Sequence, residues 1–419
     1  MTIEQLYVLF TQSTGVTTDT RKITENSLYF ALKGSNFDGN TFASEAIKQG
    51  ASYAVIDNKK HKTSEQHIVV DDVLSTLQAL AKHHRSVLNI PIIGLTGSNG
   101  KTTTKELIKC VLEKKYQVTA TLGNLNNHIG VPLTLLSMDK NTEIGIVEMG
   151  ANHLKEIELL TSIAQPNFGY ITNFGKAHLE GFGSEAGIIK GKSELYTFLR
   201  ESHGQAFINT DDPIQVTQSS GLTNITFSSK TISFITADPF VKSAFKGVEI
   251  PSQLIGKYNY LNIAAAICMG DYFKVALNDI KEAIVQYTPT NNRSQIIKKE
   301  NVTLLLDAYN ANPSSMEAAL ENFDQLSATK KIVVLGDMFE LGKTSPKEHQ
   351  HIADIAEKMS FDKIVLIGEA FQKVLSKKAN QFASYETFID DFDTSEYNDA
   401  IVLIKGSRGM ALERLVKVL

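Results

Sequence analysis

The sequence predicts an α/β protein of three domains: a small α/β unit over residues 1–88, a central parallel-sheet unit over 89–290 with a β-rich insertion, and a C-terminal Rossmann-like α/β unit over 291–419. Three observations predict it. At 419 residues the chain exceeds one ordinary domain. Short β-branched apolar runs alternate with helix-period patterns along most of its length, as in sheets covered on both faces. Residues 90–111, IPIIGLTGSNGKTTTKELIKCV, read as strand, glycine-rich loop and helix in succession.

Composition narrows the class of function. The chain is 42% hydrophobic and 21% charged, ordinary values for a globular protein. A net charge of -4 gives no general attraction to polyanions, so neither nucleic acid nor an anionic membrane is an expected partner. No apolar run approaches the ~20 residues of a membrane span. The start, MTIEQLYVLF, lacks the basic residues and long apolar core of a secretion signal. Cys110 and Cys268 have no metal-type spacing and sit within apolar helical patterns. Both are expected to be buried and reduced, in a cytoplasmic protein.

In the first unit, residues 27–32 read as a strand, 42–49 as a helix stopped by Gly50, 51–56 as a second strand, and 74–87 as a helix with Leu77, Leu80 and Ala81 inward. The polar segments 18–21 (TDTR) and 33–39 (KGSNFDG) lie at strand ends, where they can line a cleft or serve as plain turns. The central unit opens on the apolar strand-like run of Ile90, Ile92 and Ile93, followed by strands at 144–147 and 168–173, a β-rich insertion between 206 and 249, and an alanine-rich helix at 260–273. Strands at 303–306, 331–335, 363–367 and 400–404 build the third unit, with helices at 314–323, 349–358 and 410–419 between and after them. No G-x-G-x-x-G follows its first strand, so a nicotinamide cofactor is not supported.

The chemistry concentrates around Thr96-Gly97-Ser98-Asn99-Gly100-Lys101-Thr102-Thr103. Glycines let successive N–H groups converge on one anion, and the helix start and Lys101 add positive charge. Thr102 supplies a hydroxyl suited to magnesium. The spacing is shorter than G-x-x-x-x-G-K-[ST], since Leu95 stands where the first glycine is expected. The pattern reads as a mononucleotide-binding P-loop for ATP or a relative. Glu148 ends a strand of the same sheet and can hold magnesium or simply face solvent. His178 is a poor first choice for magnesium, and Lys192 alone reads as a solvated helix lysine. The loop 121–132, with Asn124, Asn126 and Asn127, and the segment 307–313, with Asp307, Tyr309, Asn310 and Asn312, are rich in uncharged donors and acceptors. Arg408, in a strand-end turn, can bind a carboxylate or phosphate.

Taken together these blocks resemble the Mur ligase family over nearly the whole chain. The resembling blocks are 18–21, 31–39, 96–106, 123–136, 148–157, 173–184, 256–266, 292–295, 307–320, 335–342 and 405–408. D-x-Y-N-A-N-P and L-G-D-M-x-E-L-G are similar to the member that joins D-alanyl-D-alanine to UDP-N-acetylmuramoyl-tripeptide. The shortened loop is a family trait. Tyr258 departs from it, because the family more often has His there.

The resemblance implies an ATP-dependent ligase working through an acyl phosphate, with two magnesium sites. It implies that Gly97, Ser98, Asn99, Gly100, Lys101, Thr102 and Thr103 hold the ATP phosphates. Asn259 and Asn262 would recognise adenine, and Arg293 and Asp307 would reach the nucleotide from the third domain. Thr102, Glu148, His178 and a carbamylated Lys192 would hold the metals, with Lys101, Glu148, His178 and Lys192 serving catalysis. Thr20, Arg21, Lys33, Gly34, Asp38 and Gly39 would hold the uridine diphosphate. Asn124, Asn126, Asn127, Tyr309, Asn310, Asn312 and Arg408 would meet the peptide and dipeptide. A sibling ligase with another amine donor, and an ATP-regulated binding protein without catalysis, are the competing readings.

Overall fold

The computed structural model describes residues 1–419 and contains three parallel or mostly parallel sheets, each with helices against it. The first sheet has the strand order Val16–Thr17, Leu28–Phe30, Tyr53–Ile56, His67–Val69, all parallel. Successive side chains point to opposite faces. Leu28 and Phe30 therefore meet the helices Ile3–Thr11 and Val73–Leu88, while Tyr29 meets Ala43 and Ala46 of the helix Ala43–Lys48.

The helix Val73–Leu88 binds this unit to the next. Its Leu77, Leu80 and Ala81 are fully buried and share one core with Val131, Leu135, Ile157 and Leu160 of the central domain. Polar contacts run along the same seam. His84 Nε2 lies 2.8 Å from the Met138 carbonyl, and Arg85 Nε donates to the Ala164 carbonyl at 3.1 Å, helped by Nη2 on Asn167 at 2.8 Å.

Six parallel strands form the central sheet, in the order Thr223–Phe227, Gln205–Asn209, Phe168–Ile171, Ile92–Thr96, Ile144–Glu148, Val118–Ala120. The expectation that a β-rich insertion begins near residue 206 is corrected here. Gln205–Asn209 and Thr223–Phe227 extend the main sheet, and only Ile232–Ala237, Phe240–Phe245 and Val248–Ile255 form a separate antiparallel sheet. The six-residue crossover helix Pro213–Gln218 is too short to show a helical period in sequence. Cys268 is buried as expected, whereas Cys110 is only partly covered; both are free thiols.

The third sheet runs Gln295–Lys298, Val302–Asp307, Ala400–Lys405, Lys331–Gly336, Lys363–Ile367, Asn380–Phe382, with only the first strand antiparallel. The last long strand thus inserts between the first two parallel ones. The expected helix at 410–419 is instead two 3-10 turns, Arg408–Met410 and Leu412–Lys417. Ala411 at φ +48° interrupts the chain, and buried Leu412 and Leu415 recur at the three-residue spacing that a 3-10 turn stacks.

Candidate active site

The phosphate loop is built by close backbone approach. The strand Ile92–Thr96 is buried throughout and ends at Gly97, whose φ is +140°. A Cβ at Gly97 would stand 2.0 Å from Thr172 Oγ1 of the neighbouring strand end. Gly100, at φ +80°, starts the helix Lys101–Leu112. Between them Asn173 clamps the turn: its carbonyl accepts from Ser98 N at 3.0 Å and its Oδ1 from Asn99 N at 3.1 Å. Gly97→Ala is therefore expected to fold but to lose nucleotide binding, read as the vanished calorimetric heat of ADP titration. Unchanged affinity would show that the loop is not the phosphate cradle.

Lys101 Nζ donates to the carbonyls of Gly97 at 2.8 Å and Ser98 at 3.3 Å, curled back over its own loop. Burial holds its pKa below the ordinary lysine value, Glu148 counteracts that shift, and the charge of Arg293 adds to it. Thr102 Oγ1 donates to Glu148 Oε1 at 3.3 Å, and Asn126 Nδ2 donates to the same oxygen at 2.8 Å. Glu148 is 1% exposed, and its Oε2 has no hydrogen-bond partner. Lys105 Nζ stands 3.5 Å from that oxygen and donates to the Gly123 carbonyl at 3.1 Å. Sequence reasoning missed Lys105. Its signal is spacing, since a residue four after Lys101 shares its helix face.

The C-terminal domain closes over this floor. Asn312 Nδ2 donates to Asn99 Oδ1 at 2.7 Å, and Asn99 Nδ2 donates to Ser314 Oγ at 3.0 Å. Asn312 also caps the helix Pro313–Gln325 by accepting from Ser315 N at 2.9 Å, so one side chain is both cap and interdomain contact. Asp307 accepts from Lys405 Nζ at 2.6 Å and from Ser294 N at 3.2 Å; buried Lys405 was also missed. The Arg293 guanidinium lies 3.7 Å from the centre of the Tyr309 ring.

Between these walls lies a cavity of about 900 Å³. Ser98 through Thr103, Asn124, Asn126, Asn127, Glu148 and His178 line the central-domain side, and Arg293, Asp307, Tyr309, Asn310 and Asn312 the other. Asn259, Asn262 and Tyr258 sit at the junction. There Asn262 Oδ1 accepts from Thr104 Oγ1 at 2.9 Å and its Nδ2 donates to Asn259 Oδ1 at 2.8 Å. Tyr258 shares a hydrogen bond of 3.0 Å with Ser294 Oγ, and burial raises its phenol pKa. The Tyr258 hydroxyl thus ties this junction to the segment that carries Arg293.

Three expected site residues are engaged with other partners. His178, at φ +54°, has Nδ1 only 2.5 Å from Glu340 Oε2 of the C-terminal domain, and this contact lowers the Glu340 pKa. Lys192 is completely buried behind the cavity, with Nζ donating to the Ala151 carbonyl at 3.0 Å and lying 5.0 Å from the centre of the Phe182 ring. Burial first, and the charge of Lys101 second, hold its pKa well below the ordinary value. No three His, Cys, Asp or Glu side chains converge as a ready-made metal cluster. Arg408 is largely exposed and pairs with Glu413 at 3.1 Å.

Thr20, Arg21, Lys33, Gly34, Asp38 and Gly39 belong to the first domain and take no part in the cavity. Thr20 opens a 3-10 turn capped by Asp19, and Arg21 holds the Asp19 carboxyl down to about 2. Lys33–Gly34 and Phe37–Asp38 pair as a short antiparallel ribbon, with Lys33 Nζ 2.6 Å from Asp57. A Cβ at Gly39 would stand 2.5 Å from the Leu32 carbonyl oxygen.

Comparison with known proteins shows the same three-part division. Residues 12–86 match the Mur ligase family catalytic domain, 95–270 the Mur ligase middle domain, and 292–408 the Mur ligase glutamate ligase domain. The UDP-N-acetylmuramoyl-tripeptide--D-alanyl-D-alanine ligase of Bacillus subtilis is 36% identical, over 96% of this chain and 92% of its own length. Its Escherichia coli counterpart is 32% identical, over 96% and 93%. The crystal structure of MurF from Acinetobacter baumannii superposes with a TM-score of 0.85 at 30% identity, covering 96% of this chain and 92% of that one. MurF ligase from Thermotoga maritima, in complex with ADP, gives 0.85 at 27% identity, over 98% and 97%. Three family domains matched in succession and identity sustained along the whole length leave one classification: this chain belongs to the Mur ligase family.

Proposed function

We propose that the chain is an ATP-dependent, ADP-forming ligase that adds D-alanyl-D-alanine to UDP-N-acetylmuramoyl-tripeptide, working in the cytoplasm as a monomer. The observation that carries this reading is the single cavity shared by the phosphate loop with Glu148 and by the amide-rich segment of the C-terminal domain. Such a cavity suits the meeting of a triphosphate terminus, a carboxylate and an amine. The domains 1–88, 89–290 and 291–419 would each contribute one wall or one substrate.

A carboxylate does not acylate an amine in water at neutral pH, so it is activated first. A carboxylate oxygen of the tripeptide attacks the γ-phosphorus, the bond to the β-phosphate oxygen breaks, and ADP leaves. The dipeptide's neutral amine then attacks the acyl carbon, forming a tetrahedral intermediate. That intermediate expels inorganic phosphate and loses a proton to give the amide. Lys101 and the loop N–H groups stabilise negative charge building between carboxylate and phosphate. Orientation of the reactants by separate domains supplies further acceleration, and closure keeps water from the acyl phosphate.

Thr102 and Glu148 fit a magnesium ion: both offer hard oxygen donors, and the buried Glu148 Oε2 accepts no hydrogen bond, with only the Lys105 ammonium 3.5 Å away to balance its charge. His178, once released from Glu340, and a carbamylated Lys192 would hold a second ion. Bound there, the ions would supply further neutralisation of the phosphate oxygens. Asn259, Asn262, Arg293 and Asp307 recognise the nucleotide in this reading. Thr20, Arg21, Lys33, Gly34, Asp38 and Gly39 hold the uridine diphosphate, and Asn124, Asn126, Asn127, Tyr309, Asn310, Asn312 and Arg408 the peptides.

The test is ADP release with UDP-N-acetylmuramoyl-tripeptide. D-alanyl-D-alanine is expected to support turnover, while single amino acids are expected to give only background. Faster release with a single amino acid would reassign the amine donor, and ADP binding without amide formation would remove the enzyme reading.

A further inference from the structure

The linker that carries the C-terminal domain is tied to the helix of the phosphate loop. Glu106 stands one turn beyond Thr102 on the helix Lys101–Leu112. Its Oε2 accepts from Tyr287 Oη at 2.5 Å, and both of its oxygens accept from Asn291 Nδ2 at 3.0 Å. Tyr287 ends the helix Leu277–Gln286, and Asn291 lies in the segment between the central sheet unit and the third sheet. Burial and the Glu106 charge raise the Tyr287 pKa, so the phenol remains a donor.

The residues just beyond Asn291 reach the cavity. Asn292 and Ser294 sit at φ +57° and +50°, sharp bends in two residues that are not glycine. Between them Arg293 is turned onto the face of Tyr309, 3.7 Å away, at the cavity wall. The Asn292 carbonyl accepts from Tyr309 N at 3.2 Å, and Ser294 N donates to Asp307 at 3.2 Å. A short, bent segment thus connects a carboxylate on the phosphate-loop helix to two cavity-lining side chains of the other domain. The partners of Glu106 are neutral donors from the linker, an arrangement in which a carboxylate gives strong, directional hydrogen bonds.

We propose that Glu106 is a positioning residue for the ligation step: it pins the linker to the phosphate-loop helix, so that each closure delivers Arg293 and Asp307 to the same place over the bound nucleotide. This rests on the ligase reading above. The pin acts on geometry in the closed state and not on the loop that first takes up the phosphates.

The experiment compares Glu106→Ala, Glu106→Gln, the double variant Tyr287→Phe/Asn291→Ala, and that double variant combined with Glu106→Ala, all in the full chain. It reads ADP-release kinetics, calorimetric ADP affinity, and interdomain distance by energy transfer between labels on the central and C-terminal domains. Glu106→Ala is expected to lower kcat about tenfold, the scale of lost charge-assisted hydrogen bonds, with ADP affinity falling by clearly less than the rate because the phosphate loop is untouched. The distance distribution of the ADP-bound protein should broaden. Glu106→Gln, which keeps an acceptor oxygen of the same reach, should recover most of the rate. Adding the linker changes to Glu106→Ala should cost little more, because they remove the same contacts. Unchanged kcat and unchanged distances in the linker double variant overturn the proposal, whether or not Glu106→Ala folds. So does a parallel loss of rate, ADP affinity and thermal stability that glutamine does not rescue. A wild-type chain that releases no ADP with the dipeptide refutes the ligase reading instead, and the distance measurement still tests the pin.

Discussion

Lys101→Ala is expected to abolish ligation while leaving the fold intact. Its ammonium is the one full positive charge within the phosphate loop, held 2.8 Å from the Gly97 carbonyl and directed by the helix that it begins. In that enclosed place a fixed charge acts on a phosphate far more strongly than in water. Removing it should lower kcat by on the order of 10³-fold, the scale seen when a buried stabilising donor is lost. The loop itself should survive. Its shape is set by Gly97, Gly100 and the Asn173 clamp, none of which uses the lysine side chain. Water can take the place of Nζ on the two carbonyls it leaves. Steady-state ADP release together with circular dichroism checks this, and a folded variant that kept a tenth of the wild-type rate would remove Lys101 from the chemistry.

Lys192→Ala is expected to be inactive and to regain part of its rate in millimolar acetate or formate. An amine with no exposure, beside a phenyl ring and near a second lysine, is pushed toward its neutral form. A neutral amine can take up carbon dioxide: the nitrogen lone pair bonds to carbon, a proton leaves, and a cation becomes an anionic oxygen donor. Alanine removes that donor and opens a small space between Phe182 and Ala151, where a free carboxylate can sit. Rescue should follow carboxylate size, with bulky acids failing. A fully active Lys192→Ala enzyme would end the carbamate assignment and leave the ligase reading standing. A variant that carboxylates never rescue would confine Lys192 to packing.

The phosphate loop is legible in the chain alone because its chemistry is local. Strand, two glycines and a helix start lie within a dozen consecutive residues, and backbone freedom and charge act over that same short range. The strands of the third domain are legible for a related reason, being continuous apolar runs such as Val333, Val334 and Leu335 that only a doubly covered sheet accommodates. Short elements are not. The crossover helix Pro213–Gln218 and the strand Asn380–Phe382 hold too few residues to express a period. The last turns read as α-helix in sequence because Leu412 and Leu415 satisfy three-residue and helical spacing alike.

The sequence by itself determined the α/β class, the phosphate loop, and most of the polar residues that line the cavity, since pattern and composition are properties of neighbours in the chain. Only the tertiary structure decided who meets whom. It set Lys105 beside Glu148, Glu340 against His178, Asn312 on Asn99, and Glu106 under the linker, pairs whose members come from different elements or domains. It also separated the first-domain residues from the shared cavity and sealed Lys192 behind it. The physical reason is that burial and long-range hydrogen bonding depend on how whole sheets and helices pack, and that packing leaves no mark at any one position of the chain.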